Sequence, residues 1–223
     1  MKFADYPILT PEQKSLLHSF SASDLRFSFY LTGGTALSAF YLSHRLSEDL
    51  DFFSEEQVGV ETLLSFLKSV PDVVHVQYER KFDRKMFLLR YVNDRILKLE
   101  FTTYPFQRCG EGLVVEGITI DSLKDILVNK IMALTDRRDP KDYVDLFYGF
   151  KKQREMDLHE LLQAAETKFG IKGVQYIIRG RFLEELPSLG TLMMKEEIDH
   201  EAVARFFKAQ ALSLIATDMK EHS

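Results

Sequence analysis

The chain has 223 residues, of which 45% are hydrophobic, and a net charge of −5. That length buries one substantial core or two small ones, and the negative balance argues against a surface coated throughout with nucleic acid. No run approaches the roughly eighteen apolar residues of a membrane span. The start, Met1-Lys2-Phe3-Ala4-Asp5, carries an acid and no long apolar stretch, so no secretory leader is expected. Cys109 is the single cysteine, which excludes an internal disulfide and fits a reducing cytoplasm.

In chain order, Thr10-Pro11-Glu12-Gln13 opens a first helix, with Thr10 as N-cap, Pro11 at the first helical position and Gln13 closing a capping box. Phe27 to Thr32 alternates as a strand. Gly33-Gly34 marks a turn, and Leu37, Phe40, Tyr41 and His44 then follow helical spacing. A return loop, Ser43 to Ser47, leads to a strand through Asp49-Leu50-Asp51-Phe52-Phe53 and on to Ser54. Val60 to Val70 reads as a helix stopped by Pro71. Val73 to Arg80, Lys85 to Val92, Ile96 to Thr103 and Val114 to Ile120 read as strands, with Asn93-Asp94 as a turn. Everything from Asp121 onward reads as helical. A mixed α/β domain over 1–120 followed by a helical region over 121–223 is therefore expected, an α+β organisation.

Asp49 and Asp51 carry the most pointed chemistry. Strand side chains alternate, so the two carboxylates project from one face about 7 Å apart along the chain. Like charges this close favour a neutralising cation, and hard carboxylate oxygens suit Mg²⁺ or Mn²⁺, the ions that accompany phosphates. The strand, Gly33, Gly34 and the helix behind them leave backbone N–H groups directed at one spot, a cradle for phosphate, with the Thr35 hydroxyl as an added donor. Between Thr35 and Asp49 there is room for one helix and a short return loop, which brings the second strand beside the first. Cradle and carboxylates then face each other, as binding of a nucleoside triphosphate with a divalent ion requires.

The order Gly-Gly-Thr-Ala-Leu, then His44-Arg45-x-Ser47-x-Asp49-Leu50-Asp51-Phe52-Phe53, resembles the DNA polymerase β-like nucleotidyltransferase superfamily, and more narrowly its AbiEii/AbiGii toxin branch. A second block resembles the same branch: Leu127 to Leu134 around Lys130, then Arg137-Arg138-Asp139-Pro140-Lys141-Asp142-Tyr143-Val144-Asp145. The resemblance implies a polymerase β-like core with a mixed sheet. It implies transfer of a nucleotidyl group from an NTP, with Mg²⁺ or Mn²⁺, to an acceptor such as a tRNA end, and a cognate antitoxin protein as partner; a protein hydroxyl or a small molecule is an alternative acceptor. It implies metal binding by Asp49 and Asp51, with Glu100 as a third carboxylate on an adjoining strand. It also implies nucleotide contacts from Gly33, Gly34, Thr35, Arg45 and Ser47, and places Lys130 and Asp145 in the catalytic machinery with the helical region at the active-site cleft. The alternative is a protein of the same fold that binds nucleotide or a partner without turnover.

The residues leave several roles open. Glu100 shares a strand face with Lys98 and Thr102, so pairing with Lys98 or a cross-strand arginine is the alternative to metal binding. Lys130 lies beside the apolar stripe of Leu123, Leu127, Ile131 and Leu134, where its ammonium must snorkel to the edge or meet an anion. That anion is either a nucleotide or one of Asp49, Asp51 and Asp145. Asp142 pairs with Arg138 or joins Asp145. Arg45 and His44 either contact phosphate or fix the loop before Asp49. From Arg80 to Arg108 eight basic residues face three acids, either as solvated strand faces or as an electropositive surface beside the active site. Cys109, in a loop with no nearby histidine, is not expected to be a nucleophile. His200-Glu201 has alanine at 204 where a zinc protease needs a second histidine.

Overall fold

The computed structural model describes residues 1–153 and 155–221. Residues 1–107 and 111–122 form one compact unit, and residues 108–110 and 123–223 form a second. No helix among the described residues is long and apolar enough to cross a membrane.

The first unit is built on a mixed sheet. Its strands are β1 (Tyr30–Thr32), β2 (Leu50–Ser54), β3 (Val73–Lys81), β4 (Arg84–Tyr91), β5 (Ile96–Thr103), β6 (Leu113–Val115) and β7 (Ile118–Ile120), in the spatial order β3-β4-β5-β2-β1-β7-β6. β2 runs parallel to β5 and antiparallel to β1, and β1 runs parallel to β7. The helices of this unit are α1 (Pro11–Ser21), α2 (Gly33–Leu37), which winds on as a π-helical turn through Ser38–Leu42, and α3 (Val60–Ser69).

Period-2 alternation separates two faces of the central strands. Leu50, Phe52, Leu97, Leu99 and Phe101 are buried on one of them. Phe20 of α1 stacks on Phe52 with ring centroids 4.4 Å apart, and Phe52 stacks on Phe101 at 5.1 Å. Burying aromatic surface of this size is a large apolar gain. Asp51, Lys98 and Glu100, out of phase with these residues, project from the opposite face.

Two expectations about strands are corrected. Asp24–Phe27 forms a 3₁₀ turn whose Leu25 carbonyl accepts from the amides of Ser28 and Phe29, so the strand begins only at Tyr30. Val114 to Ile120 is a hairpin rather than one strand. Glu116 (φ 47°) and Gly117 (φ 82°) both take left-handed backbone and let β6 turn back on β7 through two residues.

The second unit contains α4 (Leu123–Asp136), α5 (Pro140–Lys152), α6 (Leu158–Phe169), α7 (Val174–Leu183) and α8 (His200–Glu221). Asp139 caps α5 by accepting from the Lys141 amide, and Pro140 takes the first helical position. Between Leu183 and His200 the chain is not helical, contrary to the expectation of helix from Asp121 onward; Pro187 removes a backbone donor and Gly190 follows it. Arg154, His222 and Ser223, which that expectation includes, lie outside the described residues. α4 and α5 approach so closely that a Cβ on Gly149 would stand 2.7 Å from Leu127 Cδ2. Tyr143, Phe182 and Phe207 form the aromatic centre of this core.

Candidate active site

The glycine turn and the second aspartate meet in space. Gly33 has φ +75°, a left-handed conformation that suits a residue without Cβ. An added Cβ there would stand 2.0 Å from Asp51 Oδ2, so the Asp51 carboxylate lies directly against the turn. The register makes this contact, because Asp51 is opposite Thr32 on β1 and beside Glu100 on β5. At Gly34, a Cβ would lie 2.6 Å from Arg45 Nη2 and 3.1 Å from Ser47 Oγ. Gly33, Gly34, Asp51, Arg45 and Ser47 therefore form one constellation.

The loop that carries Asp49 is held by its backbone carbonyls. Thr35 Oγ1 donates to the carbonyl of Asp49, and Ser38 Oγ donates to that of Arg45. Gln13 Nε2 donates to the carbonyls of Ser47 at 2.8 Å and Glu48 at 3.2 Å. Gln13 also closes the capping box of α1, its Oε1 accepting from the Thr10 amide at 2.9 Å. Thr35 is buried, and its one hydroxyl proton goes to the protein backbone instead of outward to a phosphate, as its sequence position had suggested. Arg45 Nη1 donates to the Leu46 carbonyl at 3.1 Å, so this guanidinium fixes the loop while another of its nitrogens reaches the turn. On the far side, Thr32 Oγ1 donates to Asp121 Oδ2 at 2.8 Å and the Asp121 amide donates to the Leu31 carbonyl.

Charge is concentrated where β2 and β5 run side by side. Lys98 Nζ donates to Asp49 Oδ2 at 2.7 Å. Burial alone would lower the Lys98 pKa, but the hydrogen bond and charge of Asp49, with the charges of Asp51 and Glu100, outweigh it and hold the ammonium above its ordinary value. Glu100 Oε1 accepts from Thr102 Oγ1 at 3.1 Å and pairs with Arg84 Nη1 at 3.4 Å. Among the described residues, no three acidic, histidine or cysteine side chains are gathered closely enough to hold a metal ion as they stand. A cavity of about 460 Å³ opens beside Asp49 and Lys98, with Glu12, Glu48, Arg95 and Leu97 among its walls.

Within the helical unit, Lys130 Nζ lies 2.8 Å from both Asp142 Oδ1 and Asp145 Oδ2. Arg137 Nε adds a second cation to Asp142, also at 2.8 Å. Asp142 thus pairs with Lys130 and Arg137, and Arg138 turns instead to Glu184 at 3.0 Å. A separate buried pair joins Asp125 to Lys168 at 2.7 Å, and the Cys109 and Gly110 amides donate to the same carboxylate. Burial and the Asp125 charge push the Cys109 thiol up to about 11, which leaves it protonated and poorly nucleophilic at neutral pH.

A family model described as "Nucleotidyl transferase AbiEii toxin, Type IV TA system" matches residues 15–221. The chain belongs to the AbiEii nucleotidyltransferase family. It is a nucleotidyltransferase. "Uncharacterized protein aq_aa25" of Aquifex aeolicus (strain VF5) is 31% identical over 163 residues, 72% of this chain and 76% of that protein. Two Helicobacter pylori structures share the fold. One, named as a nucleotidyltransferase, has a TM-score of 0.62 at 19% identity and covers 94% of each chain. The other, JHP933, has a TM-score of 0.59 at 21% identity and covers 95% of this chain and 92% of its own.

Sequence reasoning missed Gln13, Ser38, Lys98 and Asp121 as parts of the candidate site's architecture. Gln13 was legible only as a cap. Lys98 was legible as a neighbour of Glu100 on its strand face, but its pairing with Asp49 depends on which strand lies next to β5.

The two glycines have separable roles. Gly33→Ala is expected to strain the left-handed backbone by about 1–2 kcal/mol and to push Asp51 aside, lowering both the melting temperature and transfer activity. Gly34→Ala displaces the far end of Arg45 and crowds the Ser47 hydroxyl, with no left-handed backbone to strain, so the melting temperature should fall less while activity still drops. Thermal melts and a nucleotidyl-transfer assay on both variants check the contrast.

Proposed function

We propose that the chain transfers a nucleotidyl group from an NTP to an RNA acceptor, such as a tRNA end, with a divalent cation held by Asp49 and Asp51. The observation that carries this reading is the packing of the Asp51 carboxylate against the Gly33 turn, with Arg45 and Ser47 at Gly34. Carboxylate oxygens suit Mg²⁺ or Mn²⁺, and the ammonium held against Asp49 supports a cation at this place. When bound, the ion would neutralise the triphosphate and the leaving pyrophosphate.

The chain's own groups would position the reactants. The amides of the Gly33–Gly34 turn and the Arg45 guanidinium would hold phosphate oxygens, with the Ser47 hydroxyl beside them, and the side-chain clamps on the 45–49 carbonyls would keep Asp49 in register with Asp51. Glu100, adjacent to Asp51 across the β2–β5 register, would complete the carboxylate set and accept the proton of the attacking hydroxyl. The cavity beside Asp49 has the volume of a small-molecule site. Lys130 and Asp145 are proposed to act in nucleotide handling. Family membership supports a toxin role with a cognate antitoxin protein as partner, and a cytoplasmic location fits that reading.

An RNA acceptor is supported by the β3–β4 hairpin. Arg80, Lys81 and Arg84 are exposed along it, and Phe82 at its tip is 85% exposed. Arg84 reaches back to Glu100, so a basic surface with an aromatic tip begins at the proposed site. Cations that track a phosphate backbone and an aromatic ring that stacks on a base are what single-stranded nucleic acid requires.

Asp49→Asn and Asp51→Asn are each expected to abolish label transfer from the four radiolabelled NTPs to total RNA. Neither should unfold the protein. Asp49→Asn loses a half-exposed ion pair worth about 1 kcal/mol or less, and Asp51→Asn relieves like-charge repulsion. Near wild-type transfer by both variants at saturating Mg²⁺ would refute the proposed site.

Lys130→Met keeps the apolar stem but removes the ammonium between Asp142 and Asp145. Loss of a buried partner of this kind costs roughly 3–5 kcal/mol, so a clear drop in melting temperature is expected. A nucleotide role adds a loss of NTP affinity measured in parallel by calorimetry; unchanged affinity would leave Lys130 with a structural role alone. For the hairpin, Arg80→Ala combined with Phe82→Ala should weaken RNA binding and flatten its salt dependence, with NTP affinity retained.

A further inference from the structure

We propose that Lys98 is the resident counter-ion of the Asp49–Asp51–Glu100 group, and that a divalent cation enters this group only as the Lys98 ammonium leaves Asp49. This inference rests on the metal reading above and deepens it, since it assigns a residue that sets how tightly the site takes its ion.

The geometry has three parts. The parallel β2–β5 register sets Asp51 beside Glu100, and alternation on β5 puts Lys98 on the same face as Glu100. Lys98 Nζ donates to Asp49 Oδ2 at 2.7 Å, the contact distance of a charge-assisted hydrogen bond. Among the described residues the three carboxylates are not gathered closely enough to hold an ion as they stand, and Lys98 is the cation on Asp49, as Arg84 is on Glu100.

Lys98 occupies one of the two Asp49 oxygens, and a divalent ion drawn to the other would stand within a few Å of the ammonium, where two cations repel. Binding of the ion and retention of the Lys98 contact therefore oppose each other, and the opposition is reciprocal: whatever the lysine takes from metal affinity, the metal takes from the lysine contact. In the ion-free protein the ammonium offsets the repulsion among the carboxylates. Lys98 also lines the cavity beside Asp49, which leaves the released ammonium room to move away from the ion.

The experiment uses the full chain, Mn²⁺ alone and no nucleotide. Free Mn²⁺ is read by electron paramagnetic resonance for wild type, Lys98→Met and Asp51→Asn. Lys98→Met should bind Mn²⁺ about ten-fold more tightly than wild type, within the usual range of couplings between linked sites. It should also melt at a lower temperature than wild type in EDTA and gain more on Mn²⁺ addition. In wild type, acetylation of Lys98 by acetic anhydride, followed by peptide mass spectrometry, should rise as Mn²⁺ saturates. This measurement stands whether or not Lys98→Met folds. Equal or weaker Mn²⁺ binding by folded Lys98→Met, or Lys98 acetylation indifferent to Mn²⁺, overturns the inference. If wild type nevertheless binds Mn²⁺ in a way that Asp51→Asn abolishes, the metal reading survives without it. If neither wild type nor Lys98→Met binds Mn²⁺, both fall.

Discussion

The site depends on the approach of the Asp51 carboxylate to a backbone turn that has no Cβ to obstruct it. A carboxylate loses hydration when it is packed against protein, and it stays charged only where donors or cations replace the lost water. Gly33 makes the approach sterically feasible, and the register of β2 between β1 and β5 aims the side chain there. The aromatic stack of Phe20, Phe52 and Phe101 on the opposite face holds that register. A slip by one residue would exchange the buried phenylalanines for the carboxylates, so the hydrophobic core and the site enforce the same alignment.

The loop before Asp49 shows how a polar segment is held without regular structure. The carbonyls of Arg45, Ser47, Glu48 and Asp49 accept from Ser38, Gln13 and Thr35, side chains on two different helical segments. Side-chain donors here replace the ladder bonds that a strand would have supplied, and each buried carbonyl left without one would cost free energy. Gln13 serves two ends at once, closing its own helix and holding the loop. Substituting it would disturb Asp49 through backbone displacement, without any direct contact to the carboxylate.

Both units manage buried charge by pairing. In the helical unit, Lys130 lies between Asp142 and Asp145, and Lys168 meets Asp125. In the α/β unit, Lys98 meets Asp49 and Arg84 meets Glu100. The difference is exposure. The Asp125–Lys168 pair is almost wholly buried, whereas Lys98 and Asp49 keep about a third of their surface in solvent. Buried pairs are costly to open and act as structure; half-exposed pairs exchange partners at small cost. The net charge of −5 hides a local excess of basic residues over acids along β3–β5.

Local periodicity and turn chemistry determined much of the fold by themselves. The capped helix from Pro11, the glycine turn, the strand through Asp51 and the run of strands from Val73 to Thr103 were legible because each signal is contained within a few neighbouring residues, whereas Asp49, expected on that strand, lies on the loop before it. The family resemblance was legible for the same reason, since its motifs are short and ordered. Tertiary structure alone decided which strands are neighbours, and with that everything that depends on distance across the sheet: Asp51 beside Glu100, Lys98 on Asp49, Thr32 on Asp121, and Lys130 on both Asp142 and Asp145. The Glu116–Gly117 hairpin also escaped the sequence, because a glutamate adopts left-handed backbone only where strand pairing on both sides enforces it. Alternation along one strand says which side chains share a face but not what stands across from them, and that is where the chemistry of this site is set.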